Sequence, residues 1–166
     1  ISVYYAESMA TIGDNLREIS PDILTTVPRL LEKIYDRIMG TGRKLKGIKK
    51  FIFFWAVNLG LHYEMDETNG WFYTLRLKIA NKLVFSKWRA AVGGNMKVIV
   101  SGGAALQPRL SRVFWAAGIP VLEGYGLTET SPVIAVNDFS ENGNCFGTVG
   151  RVISNVNVII AGDGEI

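Results

Sequence analysis

Cysteine and histidine are almost missing from this sequence: Cys145 and His62 each stand alone among 166 residues. One of each cannot build an intrachain disulfide framework or a Cys/His zinc site. That usage is compatible with a reducing cytosol. Long hydrophobic runs are missing too. The longest purely apolar stretch, Phe51 to Val57, falls far short of the roughly 20 residues that span a bilayer. Excess charge of one sign is slight, because 18 basic side chains face 15 acidic ones and leave a net +3, too little by itself to argue for a nucleic-acid partner. What is present is enough apolar material, 48% of residues, to bury a core of ordinary domain size, which excludes general disorder.

The charge is unevenly spread. Residues 1–42 carry a net −2, residues 43–92 a net +7 and residues 93–166 a net −2. The middle third also holds ten of the 18 aromatic residues, among them Phe51, Phe53, Phe54, Trp55, Trp71, Phe72 and Trp88. Basic charge and aromatic bulk therefore coincide. One reading is a helical layer with core aromatics and solvated lysines, the commoner fate of such residues. The other is a segment that rests on an anionic membrane surface.

Both ends look cut. The chain opens on Ile1-Ser2-Val3-Tyr4-Tyr5-Ala6, a strand pattern without a charged leader and apolar signal core. It closes at an Asp163-Gly164 hairpin signal with only Glu165-Ile166 of a returning strand, which leaves edge groups unpaired. The expectation is an internal piece of a longer protein; trimmed or disordered ends are the alternative. Between the ends, Thr11 is placed to cap a short helix through Glu18, and Asp22 to Val27 is a β-branched run. Pro28 suits the first helical position of an amphipathic helix over Arg29 to Met39, broken by Gly40-Thr41-Gly42. Further helices are expected over Lys46 to Glu64 and from about Trp71 to Val92, the latter with Leu75, Ile79 and Leu83 on one stripe and Leu77, Val84 and Trp88 on another. Such helices need cover on two sides. Then the period changes. A strand over Met96 to Val100, a helix over Pro108 to Ala117 ended by Gly118, and a strand over Pro120 to Leu122 make a parallel βαβ unit. Val133 to Val136 and Val156 to Ile160 are two more strand candidates, separated by a Gly/Asn/Ser-rich stretch from Asn137 to Gly150.

Ligands of open parallel sheets bind beyond the carboxyl ends of the strands, and two glycine-rich segments fall there. Ser101-Gly102-Gly103-Ala104-Ala105 has side chains small enough for a flat ligand or a phosphate to reach the backbone N–H groups. Taken alone it reads first as a tight strand-to-helix turn. Glu123-Gly124-Tyr125-Gly126-Leu127-Thr128-Glu129-Thr130-Ser131 gathers a flat aromatic, hydroxyls and two carboxylates. Tyr125 suits stacking on a nucleobase, Thr128 donation to a phosphate oxygen, and Glu129 a magnesium ion, which takes one or two carboxylates plus substrate phosphates. A solvated polar turn is an equal reading of the same composition. His62, alone on a helix, reads as structural, and nothing near Cys145 marks a reactive thiolate.

Tyr125-Gly126-Leu127-Thr128-Glu129 resembles the YGxTE signature of the adenylate-forming superfamily, which includes acyl-CoA synthetases, peptide-synthetase adenylation domains and firefly luciferases. Some twenty residues earlier, Ser101-Gly102-Gly103-Ala104-Ala105-Leu106 matches that superfamily's SGGAxL segment, in the right order and spacing. Thr26-Val27-Pro28-Arg29-Leu30-Leu31-Glu32-Lys33-Ile34-Tyr35 looks like the TVPRxxEKxY stretch of the long-chain fatty acid CoA ligase branch. Gly147-Thr148-Val149-Gly150-Arg151 is similar to the GxxGR segment that opens a β-rich part of the large domain. The resemblance covers essentially the whole chain. It implies an α/β fold whose parallel sheet layers are covered by helices, part of the N-terminal domain of such enzymes, with the start of a β-rich subdomain at the C-terminal end. Residues 1–42 would be strand and helices, 43–92 the basic aromatic helical region, 93–136 the βαβ unit with nucleotide-binding loops, and 137–166 the start of the β-rich part.

The resemblance also implies roles. Gly103, Ala104 and Ala105 would border the adenine, and Glu123, Gly124 and Tyr125, with Gly126, the other side of the base pocket. Thr128 and Glu129 would be catalytic, Thr128 at the phosphate and Glu129 at the magnesium. The implied reaction joins a long-chain fatty acid to AMP from ATP and then passes the acyl group to coenzyme A; no nucleic acid is involved. The superfamily's lysine-bearing phosphate loop does not occur here and is expected upstream of Ile1. The ribose-binding aspartate, a later arginine, the hinge and the C-terminal domain with its lysine are expected beyond Ile166, so the fragment alone is expected to be inactive. Val152-Ile153-Ser154-Asn155 departs from the proline and glycine that many relatives carry there. Gly42 to Lys49 only approaches a GxxxxGK[ST] phosphate loop, since Ile48 stands where lysine is required and no strand precedes it. The alternatives are a ligase with a carrier-protein acceptor, or a non-catalytic nucleotide-binding or membrane-surface module. The expected location is cytoplasmic, with peripheral contact on the inner membrane surface through residues 43–92.

Overall fold

The computed structural model describes residues 2–65 and 69–165. Five strands form one sheet in the order β1-β2-β3-β4-β5: β1 Ile23–Thr26, β2 Val98–Ser101, β3 Val121–Gly126, β4 Val133–Val136 and β5 Arg151–Val152. The first three are mutually parallel, with Thr26 opposite Ser101 and Ser101 opposite Glu123. β4 and β5 then add antiparallel neighbours. The helices are α1 Ile12–Ile19, α2 Pro28–Lys44, α3 Gly47–Leu61, α4 Gly70–Ala80, α5 Ser86–Ala91 and α6 Pro108–Ala116. A π-helical turn, Asn81–Phe85, joins α4 to α5.

The expected α/β class and the βαβ unit β2-α6-β3 are present. α2 buries the face its periodicity marks, through Leu30, Leu31 and Tyr35. It does not break at Gly40-Thr41-Gly42 but runs on to Lys44. The reason is tertiary: Gly42 packs directly beneath the Phe53 ring of α3, and that contact outweighs the weak helix propensity of glycine. Only Leu45 and Lys46 separate α2 from α3, so the basic segment Gly42 to Lys49 is the end of one helix, a two-residue turn and the start of the next. The Thr11 side chain does not cap α1; its hydroxyl pairs with Ser8 Oγ at 2.9 Å, and its carbonyl accepts from Asp14 and Asn15 instead.

Two expected strands are absent among the described residues. Ser2 to Ala6 is exposed and forms no strand; Ile1 lies outside the described residues. Val156 to Ile160 likewise forms no strand, and Ile159 and Ile160 stay exposed. A strand pattern becomes a strand only when a neighbour supplies its hydrogen bonds. The turn at the C-terminal end does close, with Gly164 N–H donating to Ala161 O at 3.0 Å and Ala161 N–H to Glu165 O at 2.8 Å.

The core centres on Trp88, which meets Tyr35, Phe53, Phe85 and Phe114 with ring centroids 5.3–6.4 Å apart. Beside it, Asn81 explains the π turn. Its side-chain amide donates to Leu77 O and across to Ala116 O, both at 3.1 Å, so it competes for the carbonyl ladder of its own helix. Arg89 accompanies it, donating to Asn81 Oδ1 and to Ala117 O. Together they satisfy carbonyls at the C-terminal end of α6. Of the two stripes expected on the third long helix, Val84 and Trp88 are buried and Leu77 partly so, whereas Leu75, Ile79 and Leu83 remain 46–49% exposed.

Candidate functional site

Parallel pairing sets β2 and β3 side by side and aims both carboxyl ends the same way, so the two glycine-rich segments adjoin. Gly102 N–H donates to Thr26 O at 3.1 Å, tying the segment to the end of β1 as well. A Cβ at Gly102 would sit 3.6 Å from Gly124 O, which measures how closely the two backbones approach. Gly103 takes φ +82°, a left-handed conformation that a side chain would strain. Gly103, Ala104 and Ala105 are exposed, Gly124, Tyr125 and Gly126 half-buried, and Thr128 and Glu129 exposed. The expected loop is in part a strand: β3 carries Glu123 to Gly126, and only Thr128–Thr130 form a 3-10 turn. The pairing of Tyr125 with Ala135 extends β3, and a bulge between Tyr125 and Gly126 then releases the chain. At Gly126 a Cβ would collide with Pro132 O, so this bend requires glycine.

Glu123 faces inward. It is 5% exposed, and Oε2 accepts a hydrogen bond from Leu106 N–H at 3.2 Å. Burial raises its pKa above the ordinary glutamate value, and the Leu106 amide opposes this in part. Its side chain thus braces the segment after Ala105 against β3, while its backbone carbonyl accepts from Asn137 N–H at 2.9 Å.

Three residues without an assigned role in the sequence reading shape this region. Ser101 is 1% exposed and its Oγ has no partner, a buried hydroxyl at the end of β2 beside the exposed glycines. Thr130 pins the turn: its hydroxyl accepts from Leu127 N–H at 3.0 Å and lies 2.9 and 3.0 Å from the carbonyls of Leu127 and Pro132. Asn137, 2% exposed, donates to Thr148 O at 2.8 Å and ties the Asn137–Gly150 stretch to β4. The signals available in sequence were only a serine opening SGGA and a hydroxyl two residues before proline.

The cradle fits a flat ligand with phosphates. Gly102 and Gly124 leave a backbone-lined surface that a Cβ would fill, Ser101 Oγ is an unused polar group beside it, and Tyr125 offers a ring. Glu129 is a single exposed carboxylate, and no group of three or more His, Cys, Asp or Glu side chains converges among the described residues. That donor set suits a cation shared with substrate phosphates, not a dedicated protein cage. His62 ends α3 with Nδ1 2.8 Å from Asn58 O, and Cys145 is an exposed free thiol whose backbone carbonyl accepts from Thr148.

Residues 3–165 match the AMP-binding enzyme family. A long-chain-fatty-acid CoA ligase of Mycobacterium bovis is 34% identical over 175 residues, covering 100% of this chain and 28% of the relative. A long-chain acyl-CoA synthetase of Arabidopsis thaliana is 36% identical, covering 87% and 21% respectively. Among solved structures, the crystal structure of an anthranilate CoA ligase in complex with anthranoyl-AMP superposes with a TM-score of 0.51 at 12% identity, over 95% of this chain and 21% of that one; this likeness concerns the fold. The chain spans between about a fifth and just over a quarter of the length of these proteins.

Proposed function

Because the chain belongs to the AMP-binding enzyme family, we propose that it forms the central, nucleotide-facing part of a ligase that activates a long-chain fatty acid with ATP and transfers the acyl group to coenzyme A. On this reading residues 1–166 are an internal part of the large domain, inactive by themselves. The observation that carries it is the juxtaposition of Gly102–Ala105 with Gly124–Glu129 at the carboxyl ends of adjacent parallel strands. Coenzyme A is favoured as acceptor over a carrier protein because the relatives of highest coverage are named as CoA ligases and acyl-CoA synthetases.

In the first half-reaction a fatty acid carboxylate oxygen forms a bond to the α-phosphorus of ATP and the bond to pyrophosphate breaks. In the second, the coenzyme A thiol takes the acyl carbon and AMP leaves. The backbone at Gly103, Ala104 and Ala105 borders the adenine, with Gly124 and the Tyr125 ring across from it. Thr128 would donate to a phosphate oxygen, and Glu129 would hold the magnesium ion. When bound there, magnesium supplies charge neutralisation at the phosphate oxygens. Such positioned charges and donors are where most of the rate enhancement of this chemistry arises.

Residues 43–92 suit a peripheral place on the cytoplasmic surface of the inner membrane. No helix among the described residues is long and apolar enough to cross a membrane. Yet Trp71, Phe72, Leu75, Ile79 and Leu83 lie exposed along one continuous helical stretch, among Lys78, Lys82 and Lys87, which have no ion pair among the described residues.

The test is fatty-acid-dependent exchange of labelled pyrophosphate into ATP by the full-length protein, parent against Glu129→Ala, across magnesium concentrations. Exchange that needs a long-chain acid and falls roughly a hundredfold in the variant, the size of losing one transition-state contact, supports the assignment. No exchange with any carboxylic acid, from folded protein, overturns it in favour of a binding module.

A further inference from the structure

The helical layer forms a half-open cavity of about 530 Å³ that the proposed chemistry does not use. It lies where the end of α2, the start of α3 and the π turn with α5 meet, and Leu45, Ile52, Leu83 and Trp88 make its walls apolar. Two cations, Lys49 and Lys87, belong to the same lining, and no acidic side chain does. Both lysines are exposed and neither has an ion pair among the described residues. Trp88, itself 3% exposed, carries an indole N–H with no hydrogen-bond partner. An apolar chamber with unpaired ammonium groups at its edge matches a molecule that is hydrocarbon over most of its length and anionic at one end.

The cavity is not the nucleotide site. α2 leaves the carboxyl end of β1 at Pro28, and its residues lining the cavity are Ile38, Thr41 and Gly42 near the other end of the helix, roughly 15–21 Å away at 1.5 Å per residue. Size selects among amphiphiles. A space of about 530 Å³ falls within the roughly 300–1,000 Å³ that holds one small ligand, one chain and not the two of a phospholipid.

We propose that this cavity is a binding site for a free long-chain fatty acid, distinct from the place where the carboxylate is activated. The hydrocarbon lies along Leu45, Ile52, Leu83 and Trp88, and the carboxylate meets Lys49 and Lys87. Leu83 also belongs to the exposed apolar stripe, so the mouth opens on the surface from which a membrane-dissolved acid would arrive.

The full-length protein is irradiated, without ATP, with a photoactivatable long-chain fatty acid, and the labelled peptides are mapped by mass spectrometry. Label within residues 38–53 and 83–91, displaced by palmitate but not by its methyl ester, is the expected result. Lys49→Gln with Lys87→Gln, two exposed positions that leave the core intact, weakens that labelling about tenfold, as expected for losing a charge-assisted hydrogen bond. Leu83→Trp, which fills the mouth, abolishes it, with thermal unfolding confirming that the variant is folded. Label confined to other segments, label indifferent to these variants, or equal labelling by a photoactivatable diacyl phosphatidylglycerol overturns the proposal. Because no adenylation is involved, these outcomes are independent of the pyrophosphate exchange test.

Discussion

Gly40 and Gly42 stand two residues apart in the same helix and should respond to the same substitution with opposite sign. Replacing a helical glycine with alanine removes backbone freedom from the unfolded chain and stabilises by roughly 0.8–1 kcal/mol when the new methyl meets nothing. Gly40 meets that condition, with no heavy atom within 4 Å of its Cβ position. At Gly42 the Cβ would lie 2.0–2.5 Å from three atoms of the Phe53 ring. Phe53 is 8% exposed and packs edge-on against Phe54 and at 6.4 Å from Trp88, so it has little room to retreat. Overpacking of this kind costs about 1–3 kcal/mol, which cancels the propensity gain and leaves Gly42→Ala destabilised by up to about 2 kcal/mol. Urea unfolding followed by far-UV circular dichroism measures both, as shifts in midpoint at unchanged slope. Gly40→Ala should rise and Gly42→Ala fall, and adding Phe53→Leu should cost less in the Gly42→Ala background than in the parent. If Gly42→Ala gains as much as Gly40→Ala, Phe53 does not close on α2, and the explanation for the unbroken helix fails with it.

Glu123→Gln keeps an acceptor for Leu106 N–H but removes the buried charge. A carboxyl whose folded pKa is raised contributes its stability below the ordinary value of 4.5 and loses it as pH climbs through the folded pKa; the variant should therefore gain on the parent as pH rises above 4.5, and parallel unfolding curves would refute this. Trp88→Ala removes the ring that four other aromatics surround and should cost about 3–5 kcal/mol, seen in denaturant unfolding; a loss under 1 kcal/mol would mean that the cluster repacks. In the full-length protein Thr130→Val deletes the hydroxyl that holds the Leu127–Pro132 turn, worth about 0.5–1.5 kcal/mol for each hydrogen bond lost, and should raise the KM for ATP along with a modest fall in thermal stability. An unchanged KM would detach this turn from nucleotide binding.

Local chemistry in the sequence was sufficient for a good part of the molecule. Pro28 and the period of Leu30, Leu31, Ile34 and Tyr35 determined α2 and its buried face, and short β-branched runs bounded by glycine and proline determined β1, β2 and β4. The order strand, helix, strand in under thirty residues determined a parallel pair, because a crossover of that length allows little else. The two glycine-rich segments could be placed after β2 and β3 from their order in the chain, but composition alone left the first as a tight turn and the second open between a nucleotide loop and a solvated turn; their roles came only from the family resemblance. Tertiary structure decided the rest. It carried α2 through two glycines by seating Phe53 on Gly42, and turned Glu123 inward onto Leu106. It drew Asn81 into the π turn through the end of α6, and left Ser2–Ala6 and Val156–Ile160 without the neighbours that a strand pattern needs. Helix periodicity and turn residues act within a few positions of themselves, whereas a ladder partner, a ring over a glycine or a buried carboxylate's donor lies many residues away. Only packing brings those groups together.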